Sequence, residues 1–373
     1  MAETRTLFDP ATMGAIELPN RVLMAPLTRN RSQADGTPNA WAQTYYKQRA
    51  SAGLILAEAT QVSAMGKGYK DTPGIHTDAH VREWRKITDA VHAQGGRIFL
   101  QLWHVGRISH SSLLPDNAKP LAPSAVRAQQ QTFTENGFED CSEPQAMTIE
   151  QIRETVEQFR DGAERAKEAG FDGVEIHAAN GYLLDQFLKD GINDRDDDYG
   201  GSPEKRMRFV SEVIDAVATV WPRDRIGIRL SPFGKTNDLS DSDPEAHFTP
   251  VYKMVNDKRL AYIHVVEQFP GADVADETFE ALKRLRTLWD GFYIANGGYD
   301  KDSAVAQIAS GHCDAVTFGR DFIANPDLPE RFRVGAELNA QDPDTFYGGD
   351  ERGYIDYPFL PDGTDIDAQD KAA

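Results

Sequence analysis

The sequence predicts a single closed barrel of eight parallel strands alternating with helices, the (β/α)8 architecture, with an N-terminal cap and a long loop after the third strand. Three observations carry it. Eight short apolar runs are bounded by turn residues, the segments between them have helical periodicity, and the alternation extends over far more residues than one open βαβ unit needs.

The runs fall at residues 21–25, 54–58, 98–103, 172–177, 225–230, 262–266, 292–296 and 315–318. They are near-continuously apolar rather than alternating, which suits parallel strands covered on both faces. Val81, Trp84, Ile87 and Val91 lie three or four apart, as do Phe279, Leu282 and Leu285, so each set makes one helix stripe. Ile152, Val156, Phe159, Ala163 and Ala166 form a third stripe, opened by a capping box of Thr148 and Gln151. Ser202 reads as an N-cap with Pro203 at the first helical position. Residues 105–147 form the anomalous connection, rich in Ser and Pro; because it follows a strand's carboxyl end it belongs to the active-site face. Residues 1–360 are expected to form the barrel domain and 361–373 a polar, flexible tail.

Lys and Arg number 40 against 59 Asp and Glu, a net charge of −19, with no basic run, so a nucleic-acid partner is disfavoured. The acidic excess fits a solvated surface or adaptation to salt. Every apolar stretch falls far short of the roughly 18 to 20 residues that span a bilayer. The first residues have neither a basic nor an apolar region of the kind that directs secretion. Cys141 and Cys313 could form at most one bridge, and a chain of this size needs none, so reduced thiols and a cytoplasmic setting are expected.

In such barrels a phosphate group commonly lies between the loops after strands seven and eight. Here those loops read Asn296-Gly297-Gly298 and Phe318-Gly319-Arg320, glycines for close approach of main-chain N–H groups and an arginine to pair the anion. Two plain strand-to-helix turns would also explain the glycines. The end of strand four carries His177, Asn180 and Tyr182 within six residues. Singly these read as a structural histidine, a turn and a core tyrosine. Together they offer two neutral donors for a substrate oxygen and a phenol able to deliver a proton. Arg229 ends strand five and points into the mouth, needing an anion or a carboxylate partner, while Gln101 and Trp103 end strand three. Thr28 reads equally as a simple cap. The run Asp194 to Lys205 fails as a calcium loop, with Tyr199 at the sixth position and Lys205 at the twelfth. No metal-ligand spacing and no dinucleotide-binding glycine fingerprint occur, so no metal is expected.

Seven motifs, in order and spread over essentially the whole chain, resemble the Old Yellow Enzyme family of FMN-dependent ene-reductases, close to its bacterial N-ethylmaleimide and xenobiotic reductase members. They are Asn20-Arg-Val-Leu-Met-Ala-Pro-Leu-Thr-Arg29, Gln101-Leu-Trp-His-Val-Gly-Arg107, His177-Ala-Ala-Asn-Gly-Tyr182, Asn193 with Arg195 and Asp198-Tyr-Gly-Gly-Ser202, Arg229-Leu-Ser-Pro232, Asn296-Gly-Gly298 and Asp314-Ala-Val-Thr-Phe-Gly-Arg320. The resemblance implies FMN as cofactor, with NADPH or NADH as reductant. Its phosphate would be held by Gly298, Gly319 and Arg320, and its ring contacted by Pro26, Leu27, Thr28, Ala59 and Gln101, with Arg229 beside N1 and O2. His177 and Asn180 would bind the substrate oxygen, Tyr182 would donate the proton, and Tyr69, Trp103 and Tyr347 would help line the pocket.

The cycle the resemblance implies is ping-pong: NAD(P)H reduces the flavin and leaves, then an α,β-unsaturated carbonyl, imide or nitro compound takes hydride from flavin N5 and a proton from Tyr182. The partners would be small molecules, and the chain a monomer or homodimer. Residues 233–243 and Gln268-Phe269 depart from close relatives on the top face, which bears on substrate scope. Thr28 stands where a thermophilic-like subclass has cysteine, and the iron–sulfur cysteines of larger relatives are missing. Two other readings fit parts of the sequence: a flavin-free aldolase or isomerase acting on a phosphorylated substrate, and a non-catalytic flavin-binding protein. The first needs a Schiff-base lysine or a carboxylate base, and no strand end presents a lysine.

Overall fold

A computed structural model describes residues 5–268 and 275–361. The eight barrel strands are β1 (Val22–Met24), β2 (Ile55–Gln61), β3 (Ile98–Trp103), β4 (Gly173–Ala178), β5 (Ile226–Leu230), β6 (Tyr262–Val266), β7 (Phe292–Asn296) and β8 (Ala315–Phe318). They pair in parallel in chain order, and β8 closes on β1 through Val316–Val22, Thr317–Leu23 and Phe318–Met24. The expected architecture is therefore the one formed, with each strand displaced by at most a few residues at its ends. Apart from the two ends of β7, every strand residue is buried, which is why the runs read as continuously apolar.

The outer ring is α1 (Ala40–Gln48), α2 (Asp78–Ala93), α3 (Ile149–Glu168), α4 (Arg208–Val217), α5 (Pro244–Lys258), α6 (Asp276–Arg286), α7 (Lys301–Ser310) and α8 (Arg320–Ala324). In α2 the stripe Val81, Trp84, Ile87 and Val91 is buried. The capping box opens α3 as expected, with Thr148 and Gln151 each bonding the other's main-chain N–H. Ser202 caps only the single turn Pro203–Arg206, after which the helix breaks at Met207 and restarts as α4. The buried Arg206 side chain donates from Nε to the Leu188 carbonyl at 2.9 Å.

A hairpin, Ala11–Met13 with Ile16–Leu18, plugs the N-terminal end of the barrel. Met13, Ile16 and Leu18 pack on the inward side chains Leu23, Leu54, Leu56, Phe99, Tyr262 and Ile294. The long connection after β3 is not a bare loop. It contains a hairpin, Gln131–Thr134 with Gly137–Asp140, and a short parallel pair, Leu121–Ala122 with Gln145–Ala146. Arg195, from the run dismissed as a calcium site, braces it by donating to the carbonyls of Pro123 and Met147 at 2.8 and 2.7 Å. Both cysteines are buried and unbridged. Among the described residues no helix is long and apolar enough to cross a membrane. Phe269 and residues 362–373 of the expected tail lie outside the described residues.

Candidate active site

The C-terminal half of the barrel brings together side chains from all eight strands or the loops that follow them. His177 and Arg229 are register partners on β4 and β5, so their side chains point the same way into the interior. Two residues earlier on β4, on the same face, lies Glu175. Its carboxylate accepts Gln101 Nε2 of β3 at 2.7 Å and His264 Nδ1 of β6 at 2.9 Å, and His264 Nε2 bonds the Thr317 hydroxyl of β8 at 2.9 Å. A polar ladder thus crosses the barrel beneath the mouth, all of it buried.

Burial alone would raise the Glu175 pKa, but His264, Arg229 and the Gln101 N–H outweigh it and hold the carboxyl below its ordinary 4.5. Glu175 is therefore the anion that balances the buried Arg229. Arg229 donates through one terminal nitrogen to Asn296 Oδ1 of β7 at 2.7 Å, while its Nε has no protein partner. Burial, together with the Arg229 and His264 charges, drives the His177 pKa well below 6.5, so its imidazole is neutral.

The turn after β4 is built to aim three groups. Asn180 adopts φ +60°, and its N–H donates to Ser231 Oγ at 2.8 Å. Asp185 fixes the same turn, accepting from Gly181 N at 2.9 Å and from the Ser231 hydroxyl at 3.1 Å. Lys189 completes the support, lying 3.5 Å from Asp185 and donating to the carbonyls of Ser231 and Gly234. Asn237 adds a bond to the Asn180 carbonyl at 2.8 Å. With the backbone so held, the Tyr182 ring stands edge-on to Trp103 and His177, at centroid distances of 5.0 and 5.2 Å. Tyr69 stacks on Trp103 at 5.9 Å, and its hydroxyl is 3.1 Å from that of Tyr182. Burial raises the Tyr182 pKa above 10, against the opposing hydrogen bonds from Tyr69 and Asn237. Tyr182 therefore keeps its proton.

Trp103 Nε1, His177 Nδ1, Asn180 Oδ1 and Arg229 Nε are all buried without a partner in the protein. Buried polar groups are rarely left so, and four in one mouth mark a place where a polar ligand completes the bonding. Pro26, Leu27 and Thr28 follow β1 and are half-buried; Ala59 lies in an irregular stretch of β2 between Ala57 and Thr60 and packs with Trp103, Tyr69 and Tyr182. On the far side, Gly297 and Gly298 turn the chain with φ +119° and +68°, left-handed conformations that favour glycine. Gly319 opens α8, with Leu27 Cδ2 3.3 Å from where its Cβ would stand, so no larger residue fits without displacing Leu27. Arg320 is exposed beside it.

Tyr347 is the one expected lining residue that lies apart. Its side chain is 69% exposed, on the rim, though its phenol bears electrostatically on both Tyr69 and Tyr182. The segment carrying it is clasped by two buried arginines. Arg29 donates to the carbonyls of Thr345, Phe346 and Gly353, and Arg31 to those of Thr345, Asp350 and Arg352.

A closed (β/α)8 barrel with unpartnered polar groups at its mouth and glycine turns after β7 and β8 is the frame of a phosphorylated-cofactor enzyme. Comparison with known proteins makes the class specific. Residues 6–339 match the model of the NADH:flavin oxidoreductase / NADH oxidase family, and the chain belongs to that family. Putative 12-oxophytodienoate reductase 11 of Oryza sativa subsp. japonica is 45% identical over 368 residues, 97% of this chain and 99% of that protein. The structure of morphinone reductase superposes with a TM-score of 0.93 at 49% identity, covering 97% of this chain and 98% of that one; the same enzyme has been solved in complex with tetrahydroNAD. An Old Yellow Enzyme homologue from Zymomonas mobilis gives 0.91 at 40% identity, over 95% and 100% of the two chains.

The protein is thus an FMN-dependent oxidoreductase of the Old Yellow Enzyme family, with a nicotinamide as reductant. The residues fit that cofactor: a cationic group with a free N–H, a glutamine held by Glu175, and a glycine cradle open to a phosphate. Glu175, His264, Asn296, Thr317, Asp185 and Ser231 are site residues that the sequence reading did not single out. A charged or imidazole side chain inside an apolar strand was the available signal, since neither tolerates burial alone.

Proposed function

We propose that this chain reduces the C=C bond of α,β-unsaturated carbonyls, imides or nitro compounds, taking its reducing equivalents from NADPH or NADH. The observation that carries the reading is the neutral pair His177 and Asn180 beside a protonated Tyr182 in one buried mouth. Gly298, Gly319 and Arg320 would hold the FMN phosphate, with Pro26, Leu27, Thr28, Ala59, Gln101 and Arg229 around the ring. When bound, FMN supplies the hydride chemistry, accepting from reduced nicotinamide and delivering to the activated alkene.

The chain's own residues do the rest. His177 and Asn180, as hydrogen-bond donors that carry no charge, take the substrate oxygen and stabilise the negative charge that builds on it as hydride reaches the β carbon. The Asn180 amide can present Nδ2 for this purpose, and the neutral imidazole supplies one N–H. Tyr182 then gives its Oη proton to the α carbon, and the Tyr69 hydroxyl, 3.1 Å away, donates to the phenolate left behind. Trp103 and Tyr69 present aromatic surface beside that hydroxyl. The lysine-based aldolase reading is disfavoured, because Lys189, buried behind the β4 turn, is fully engaged by Asp185 and two carbonyls.

The test is spectroscopic. Under anaerobic conditions NADPH should bleach the flavin band of the purified protein, and 2-cyclohexenone should restore it; a band that bleaches but ignores enones, maleimides and nitroalkenes alike would defeat the proposal. The pH dependence follows from the two shifts. His177, depressed from 6.5, stays neutral as pH falls to about 6, and Tyr182, raised from 10, stays protonated as pH rises to about 9. The rate of enone-driven reoxidation should therefore be flat between those limits. An inflection inside the window would assign a different acid.

A further inference from the structure

One buried carboxylate lies outside the chemistry described so far. Glu267 follows β6 directly, and its N–H donates to the Asn296 carbonyl at the end of β7, 2.8 Å away. The side chain is 3% exposed and gathers three donors from three segments. Oε1 accepts the Tyr293 hydroxyl of β7 at 2.7 Å and His312 Nε2, from the turn into β8, also at 2.7 Å. Oε2 accepts the hydroxyl of Tyr299, the residue that follows Gly298.

The main chain beside Glu267 forms the back wall of the glycine turn. A Cβ on Gly297 would stand 1.9 Å from the Gln268 carbonyl oxygen, and one on Gly298 3.1 Å from Gln268 Oε1. Asp300 then caps α7 in a box with Ser303, so the turn is anchored on its outgoing side as well. Burial and the neighbouring Glu267 charge push the Tyr293 and Tyr299 phenols far above their ordinary range, so both remain donors. Glycine turns are otherwise free to sample many backbone conformations, at a cost in entropy when one is selected. A single carboxylate ties the incoming strand, the residue after the turn and the segment that leads into β8.

We propose that Glu267 is a positioning residue for the FMN phosphate: held by Tyr293 and His312, it presets the Gly297–Gly298 turn through Tyr299. The proposal rests on the reading that Gly298, Gly319 and Arg320 hold that phosphate. It makes Glu267 matter for the phosphate and not for the ring.

The test uses protein stripped of flavin and titrated separately with FMN and with riboflavin, binding being followed by flavin fluorescence. Tyr299→Phe and Glu267→Gln should each weaken FMN about tenfold, the usual effect of losing an outer partner of a binding group, and change riboflavin by less than about twofold. Arg320→Ala examines the underlying reading and should also reduce the preference for FMN. If Arg320→Ala reduces that preference while Tyr299→Phe and Glu267→Gln leave it at the parent value, the positioning role is wrong and the phosphate site stands. If Arg320→Ala leaves it unchanged, the phosphate reading fails and takes the positioning role with it. Equal weakening of FMN and riboflavin in the Tyr299 and Glu267 variants would mean general loss of structure and would also overturn the proposal.

Discussion

Tyr182→Phe is expected to slow reoxidation of the reduced enzyme by 2-cyclohexenone roughly 100-fold, while reduction by NADPH stays within about twofold of the parent. The substitution removes one hydroxyl and little else. The ring keeps its edge contacts with Trp103 and His177, so the pocket retains its shape. What disappears is the proposed proton donor to the α carbon, together with the partner of the Tyr69 hydroxyl. Water is then the remaining acid, in a mouth walled by aromatic rings. A nitroalkene should suffer less, because the charge left after hydride transfer rests on the nitro group and can await protonation in solvent. Rapid mixing separates the two half-reactions; equal slowing of both would remove Tyr182 from its role as proton donor.

Glu175→Ala is the second large effect, and it falls on stability. It deletes the carboxylate that accepts from Gln101 and His264 and that offsets the buried Arg229 charge. Breaking a buried ionic network by removing one member costs about 3–5 kcal/mol, since the remaining charge is left uncompensated. That corresponds to a drop in Tm of roughly 4–6 °C for a chain of this length. Glu175→Gln should fall between, because the amide oxygen still accepts one bond but its NH2 faces a donor. Thermal unfolding of the three proteins, each stripped of flavin, reads this directly. A Tm for Glu175→Ala within about 2 °C of the parent would show that Arg229 is balanced elsewhere.

The two predictions also mark what the sequence made legible. Tyr182 was found because three chemically capable residues crowd the end of one strand, a pattern that local reading detects. Glu175 was passed over because Val174-Glu175-Ile176 reads as a strand with one polar interruption; its partners are 74 and 89 positions away. Only closure of the barrel brings Gln101, Glu175, His264 and Thr317 onto one line, and no periodicity in the chain encodes that line. The strands were legible for the opposite reason: burial on both faces writes itself into consecutive residues. The hairpin after β3 is a different case. Alternation around Asn136-Gly137 was a readable turn signal, and the prolines and serines of the surrounding segment drew attention from it. Glu267 gave no signal at all, since its three donors come from residues 26 to 45 positions further on.

The clasp on the rim carries a consequence for how such an enzyme diversifies. Arg29 and Arg31 grip the segment from 345 to 353 through five main-chain carbonyls and none of its side chains. Carbonyls are the same whatever residue bears them. The attachment is therefore blind to the identity of residue 347, whose side chain is exposed on the rim. That residue can therefore change while the grip that keeps the segment in place is inherited unchanged.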